Sequence, residues 1–286
     1  MRTKKWSLLG LVALSVVTAV LVILSFLSVR PQEVNAEPAP VDQPAQTTPA
    51  VSTPTPTPTL TLTPTPTPTP TPRAPRDSTR ANIRNLLTGP APVKIVVLGD
   101  SSGRDDPAGH ESWVTLWARE LSTKRPVTIV DRGGASVAPT QLGTPGAEPI
   151  QIVNASDRPG QLADIVQQAP QLIPPDTDLV IVNVGHNEAD TDLRANLDAL
   201  WAEVPTGTMG LVMIQNPEQT SDASKQRSRI QVVQEWGVRN NVAAVDVFSA
   251  FLLVPDPLTQ LLRSDLILPN QRGAEIWRDA IIAALG

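Results

Sequence analysis

From Val93 onward, apolar residues come in short continuous runs rather than in strict alternation, the pattern of strands buried on both faces of a parallel sheet. Five such runs predict strands at Val93 to Leu98, Val127 to Val130, Leu179 to Val184, Gly210 to Ile214 and Val242 to Val247. The segments between them take helical spacing. Ser112 to Ser122 places Trp113, Leu116 and Trp117 on one face, and Gln271 to Leu285 does the same with Ile276, Trp277, Ala280, Ile281 and Ala284. Further helices are expected over about Gly160 to Gln168, Asp190 to Glu203 and Ser221 to Trp236. Strands joined by helices predict a doubly wound, three-layer α/β/α domain around a flavodoxin-like, parallel five-stranded sheet, with ligands bound at the carboxyl ends of the strands. The stretch from Val137 to Pro159, rich in Pro and Gly, reads as a loose surface insertion, with a lid over the site as the alternative.

A different pattern precedes this domain. After Met1-Arg2-Thr3-Lys4-Lys5, about 24 residues from Trp6 to Val29 carry no charge, enough for a helix of roughly 36 Å across a hydrocarbon core of ~30 Å. The basic residues ahead of the run predict a single-pass anchor over 1–30 with a cytoplasmic N-terminus and the rest of the chain outside the cell. Cleavage after Val34-Asn35-Ala36 is the alternative, which would secrete the protein. Both readings export the domain. Over 31–79 Thr-Pro repeats dominate; proline fixes φ and lacks the amide donor, so this segment is expected to be a disordered, extended linker of polyproline II character. The globular part is thus expected over 80–286.

Composition narrows the chemistry. There is no cysteine, so neither a disulfide framework nor a cysteine-ligated metal is available. Two histidines, His110 and His186, exclude a three-histidine metal site and are the only imidazoles on which His-dependent catalysis could draw. A net charge of -5 argues against nucleic acid as a partner. No glycine-rich phosphate loop follows the first strand, so nucleotide binding is not expected and no cofactor or metal is implied.

Polar residues gather at predicted strand ends. The first strand runs into Gly99-Asp100-Ser101, a turn that would lift a serine hydroxyl onto the rim, although the same tripeptide is an ordinary turn sequence elsewhere. The second ends in Gly133-Gly134-Ala135-Ser136, where a glycine N–H could face an oxyanion, and the third in Gly185-His186-Asn187-Glu188, where Asn187 could add a side-chain donor. After the fifth comes Asp265-Leu266-Ile267-Leu268-Pro269-Asn270-Gln271-Arg272-Gly273.

In order and spacing these four segments resemble the SGNH hydrolases, the GDSL esterase and lipase family, over about residues 92 to 286. The resemblance implies Ser101 as nucleophile, with an oxyanion hole formed by Ser101, Gly134 and Asn187; an alignment shifted to Gly133 stays open. It also implies a small acyl ester or an acylated surface glycan as substrate. Glu188 stands where the family usually has aspartate.

The last segment departs from the family. Where the family pattern is Asp-x-x-His, Asp265 is present but the base position holds Leu268, which cannot accept a proton. Loss of the triad histidine has cost about 10⁶ in turnover in a serine protease, leaving about 10³–10⁴ over water. Candidate substitutes are His110, in the loop after Ser101, then His186 and carboxylates such as Glu188. Two functions are therefore expected to compete: an esterase with impaired turnover, or a non-catalytic relative that binds a surface glycan, lipid or protein.

Overall fold

The computed structural model describes residues 77–107, 109–132, 138–144, 148–156, 161–189, 191–220 and 223–286. The expected anchor and almost all of the Thr/Pro-rich linker lie outside these residues. Among the described residues, no helix is long and apolar enough to cross a membrane.

The chain alternates helix and strand: α1 (Arg80–Thr88), β1 (Val93–Gly99), α2 (Trp113–Ser122), β2 (Val127–Asp131), β3 (Thr140–Leu142), β4 (Ile150–Ser156), α3 (Leu162–Leu172), β5 (Leu179–Asn183), α4 (Leu193–Glu203), β6 (Met209–Ile214), α5 (Ala223–Arg239), β7 (Ala243–Asp246), α6 (Val247–Leu253) and α7 (Gln271–Leu285). The sheet has seven strands in the order β3-β2-β4-β1-β5-β6-β7, all parallel except β3, which runs antiparallel to β2 at one edge.

This corrects the expectation of five strands. The five expected strands keep their relative order, but β4 inserts between β1 and β2, within the stretch read as a loose insertion or lid. Two polar residues, Gln151 and Asn154, break the apolar run of β4 and hide it from a periodicity reading. Asn154 is nevertheless buried, because its Nδ2 donates to the Gly103 carbonyl at 2.9 Å and its Oδ1 accepts from the Ser156 amide at 3.2 Å. At the other edge, the run expected to be strand through Val247 turns helical one residue earlier, where Asp246 caps α6 by accepting from the Ser249 amide.

Alternate residues of each strand feed two apolar layers. Ile95 and Val97 of β1 face a cluster that includes α1, α2, α6 and α7, and Val96 and Leu98 face one built on α3, α4 and α5. In the first layer Trp113 of α2 stacks on Trp277 of α7 with centroids 5.5 Å apart, both fully buried. Helices thus cover both faces, giving the three-layer domain. The chain leaves β1 toward β2 and β4 on one side and reaches β5 on the other, so the crevice lies at the carboxyl end of β1.

The same place explains Gly99. A Cβ there would stand 2.4 Å from the Asn183 carbonyl oxygen, a backbone atom of β5 that cannot swing away. Gly99→Ala is expected to destabilise the domain by about 1–3 kcal/mol, read as a lower urea midpoint at unchanged slope; an unshifted midpoint would show that the two strand ends can part.

Candidate active site

Directly after β1, Asp100 caps a short 3-10 turn, Ser101–Gly103. Its Oδ1 accepts from the Ser102 amide at 3.0 Å and the Ser102 hydroxyl at 2.6 Å, and the Ser102 oxygen accepts from Asn183 Nδ2 at 2.7 Å. Ser102 is therefore buried and engaged, while Ser101 is half-exposed in a cleft of about 240 Å³. The cleft is lined by Asp100, Ser101, His186, Asn187, Asp265, Ile267 and Leu268. Three of the four sequence segments thus meet at one place. Gly134, its alternative Gly133, and Ala135 and Ser136 lie outside the described residues.

Asn187 is exposed at the cleft, on the loop that leaves β5 through Gly185 at φ +143°, a conformation open to glycine. Glu188, next to it, turns inward and binds the Leu162 amide at the start of α3, supplying the cap that Gln161 does not. Burial raises the Glu188 pKa, Asp100 and Asp164 add to the rise, and the Leu162 amide and Arg229 oppose it.

The final segment brings Asp265, Ile267 and Leu268 to the cleft. Asp265 Oδ1 accepts from the Ile267 and Leu268 amides, each at 2.9 Å, and Leu266 between them takes φ +60°. Asn270 caps α7 by accepting from the Gly273 amide at 3.1 Å, and a Cβ on Gly273 would lie 2.3 Å from the Leu261 carbonyl oxygen. The Pro269-Asn270-x-x-Gly273 pattern is therefore explained by helix capping and close packing, and it delivers the Leu268 side chain to the cleft that Ser101 lines.

The two histidines have different settings. His110 is exposed, with Nδ1 3.9 Å from Asp106 Oδ2, and is not among the residues lining the cleft; Asp106 is itself paired with Arg263 at 2.9 Å. His186 lines the cleft, with its ring between the Asn216 carbonyl and Asp100. Nε2 lies 2.9 Å from the Asn216 carbonyl oxygen, which can only accept, so Nε2 carries a proton. Nδ1 faces Asp100 Oδ2 at 3.7 Å, ion-pair rather than hydrogen-bond distance, with both side chains almost fully buried. Burial disfavours the imidazolium, but Asp100 outweighs it and the His186 pKa is raised, with Glu218 adding to the rise. Burial likewise opposes the Asp100 charge, yet His186 and Ser102 hold that carboxyl below its ordinary value. Asp100 and the Asn216 carbonyl thus both favour the protonated form of the ring.

Sequence reasoning overlooked the end of β6. Gln215 Nε2 donates to Asp100 Oδ2 at 2.7 Å and to Asn183 Oδ1 at 3.0 Å, and its Oε1 accepts from the His186 amide. Asn216 Nδ2 donates to the Ile267 carbonyl at 2.9 Å, and its Oδ1 accepts from Trp277 Nε1 at 3.0 Å. The signal was present, because Gln-Asn directly follows the apolar run Met209–Ile214 at a strand end.

A three-layer domain of this topology with Gly-Asp-Ser at the end of its central strand is of the SGNH hydrolase class. The model of the GDSL-like Lipase/Acylhydrolase family matches residues 97–276, and the chain belongs to that family. Among solved structures, a lipase/acylhydrolase from Enterococcus faecalis is similar at 17% identity and TM-score 0.52, covering 67% of this chain and 94% of the other. An acetylxylan esterase from Geobacillus stearothermophilus is similar at 18% identity and TM-score 0.52, covering 68% and 95%. An alpha/beta hydrolase enzyme from the metagenome of Lake Arreo, Spain, is similar at 18% identity and TM-score 0.52, covering 70% and 98%. At these identities the likeness is one of fold. No curated protein sequence matches the chain.

The buried pair sets a pH dependence. Asp100, with its pKa lowered, contributes stability above pH ~4 that is lost as pH falls through its depressed pKa. His186, with its pKa raised, contributes stability below about pH 6.5 that is lost as pH rises through its elevated pKa. His186→Gln is expected to cost about 3 kcal/mol near pH 6 and less at pH 9 in urea denaturation, and the His186 ring should titrate in ¹⁵N spectra at a higher pH than a free imidazole. Titration at or below the free-imidazole value would contradict the assignment.

Proposed function

We propose that this chain is an exported, membrane-tethered member of the family whose cleft takes small acyl esters, such as acetyl groups on surface glycans, and turns them over slowly for want of a base. The observation that carries the reading is the shared cleft of Ser101, Asn187, Asp265 and Leu268. In this reading Ser101 Oγ adds to the ester carbonyl carbon. The oxyanion so formed accepts from the Ser101 and Gly134 amides and the Asn187 side chain, and collapse leaves an acyl-Ser101 and releases the alcohol. Water then attacks the acyl group, the acid leaves and Ser101 is restored.

Each half of that cycle needs one proton taken and one returned. An imidazole at position 268 would do both; here the proton passes to water or to a weakly basic carboxylate, a penalty of several powers of ten. The acetyl-ester choice is in line with the acetylxylan esterase that shares the fold. Tethering rests on the uncharged run from Trp6 to Val29 behind a basic start, and recovery of the intact N-terminus in the membrane fraction would support it.

The second reading, a non-catalytic binder of a glycan, lipid or protein, is favoured by Ile267 and Leu268, which put apolar surface where the family has its base. Turnover of p-nitrophenyl acetate by the parent, Ser101→Ala and Leu268→His separates the two. The expected result is slow parental turnover that Ser101→Ala abolishes, and a gain of at least about 10²-fold in Leu268→His, a conservative fraction of the histidine's worth in a serine triad. Parental turnover equal to that of Ser101→Ala, with no gain in Leu268→His, would leave the binding reading.

A further inference from the structure

We propose that Gln215 and Asn216, adjacent residues at the end of β6, are the positioning residues that hold the nucleophile turn, the Asn187 loop and the Asp265 to Leu268 loop in register with one another. This rests on the reading of Ser101 as nucleophile and Asn187 as oxyanion donor, and adds residues that lie outside the four matching sequence segments.

Neighbouring side chains on an extended strand point to opposite sides, so a two-residue amide pair can reach two directions at once. Gln215 turns toward β1 and β5. It donates to Asp100 and Asn183 through Nε2 and receives the His186 amide on Oε1, so one carboxamide ties the cap of the Ser101 turn to the loop that carries Asn187. Asn216 turns the other way. Its Nδ2 holds the Ile267 carbonyl, its Oδ1 receives the Trp277 indole N–H from α7, and its main-chain carbonyl is the acceptor of His186 Nε2. Gln226 of α5 donates to the same carbonyl at 2.7 Å, which fixes the pair from behind. Both side chains are buried, at 4% and 0% exposure, where an amide left without partners would be costly.

The loop that Asn216 holds is under strain. Leu266 sits at φ +60°, a left-handed conformation that costs a non-glycine residue roughly 1–2 kcal/mol. It persists because its flanking groups are engaged: Asp265 Oδ1 on the Ile267 and Leu268 amides, the Gln219 amide on the Leu266 carbonyl, and Asn216 on the Ile267 carbonyl. Withdrawing the Asn216 donor frees the carbonyl of the residue next to the base position, letting the loop relax away from Ser101.

Near-isosteric variants of the full-length chain in detergent micelles test this. Asn216→Asp keeps an acceptor for Trp277 and loses the donor to Ile267, and Gln215→Glu keeps the acceptor for the His186 amide and loses the donor to Asp100. Hydrogen exchange should accelerate at least tenfold over residues 265–268 in Asn216→Asp and over 101–104 in Gln215→Glu, with β2 and α2 unchanged. In the Leu268→His background each should lower kcat at least tenfold with KM within threefold. Unchanged exchange in the named segments, or an equal rise in β2 and α2, overturns the proposal, as does a rise in KM at constant kcat. If Leu268→His has no turnover, the esterase reading fails on its own test, while the exchange pattern still decides the positioning role.

Discussion

A carboxylate that is 1% exposed stays ionised inside a protein only if its oxygens are met by donors and its charge by an opposite charge, and Asp100 is met from three strand ends. Ser102 from its own turn, Gln215 from β6 and His186 from the loop after β5 all converge on it. The demand is strict because breaking such a pair leaves a bare charge in the interior. One buried charge therefore fixes where the Ser101 turn sits relative to the Asn187 loop. It also biases His186, since a carboxylate and a carbonyl oxygen facing an imidazole favour its protonated form.

His186 and Leu268 meet the cleft in different ways. The His186 ring is turned to Asp100 and the Asn216 carbonyl, both of which favour its protonated form. Leu268 stands on a loop that the Asp265 turn, the Asn270 cap and the close seat of Gly273 hold in place by hydrogen bonding and packing. None of these contacts involves the Leu268 side chain.

The second layer of the site is built from amides. Asn154, Asn183, Gln215 and Asn216 are all buried, each donates and accepts, and each connects a strand end to a turn at the cleft. Amides suit this use because they carry both hydrogen-bond functions without a charge to desolvate.

Much of this was legible in the chain itself. Continuous apolar runs marked the strands at Val93, Val127, Leu179 and Gly210, and the spacing of Trp113, Trp117, Ile276 and Trp277 marked the core faces of α2 and α7, because burial on a periodic element imposes a periodic pattern. Asn270 and Gly273, ahead of the apolar spacing of α7, marked its capped and closely packed start. What only the tertiary structure decided was pairing across distance. Gln151 and Asn154 disguised β4 because the partner that makes Asn154 affordable, the Gly103 carbonyl, lies 51 residues away. The same holds for Gln215, Asn216 and the setting of His186: a polar residue's role in the interior is set by which groups face it, and those groups are brought together by the sheet rather than by the chain.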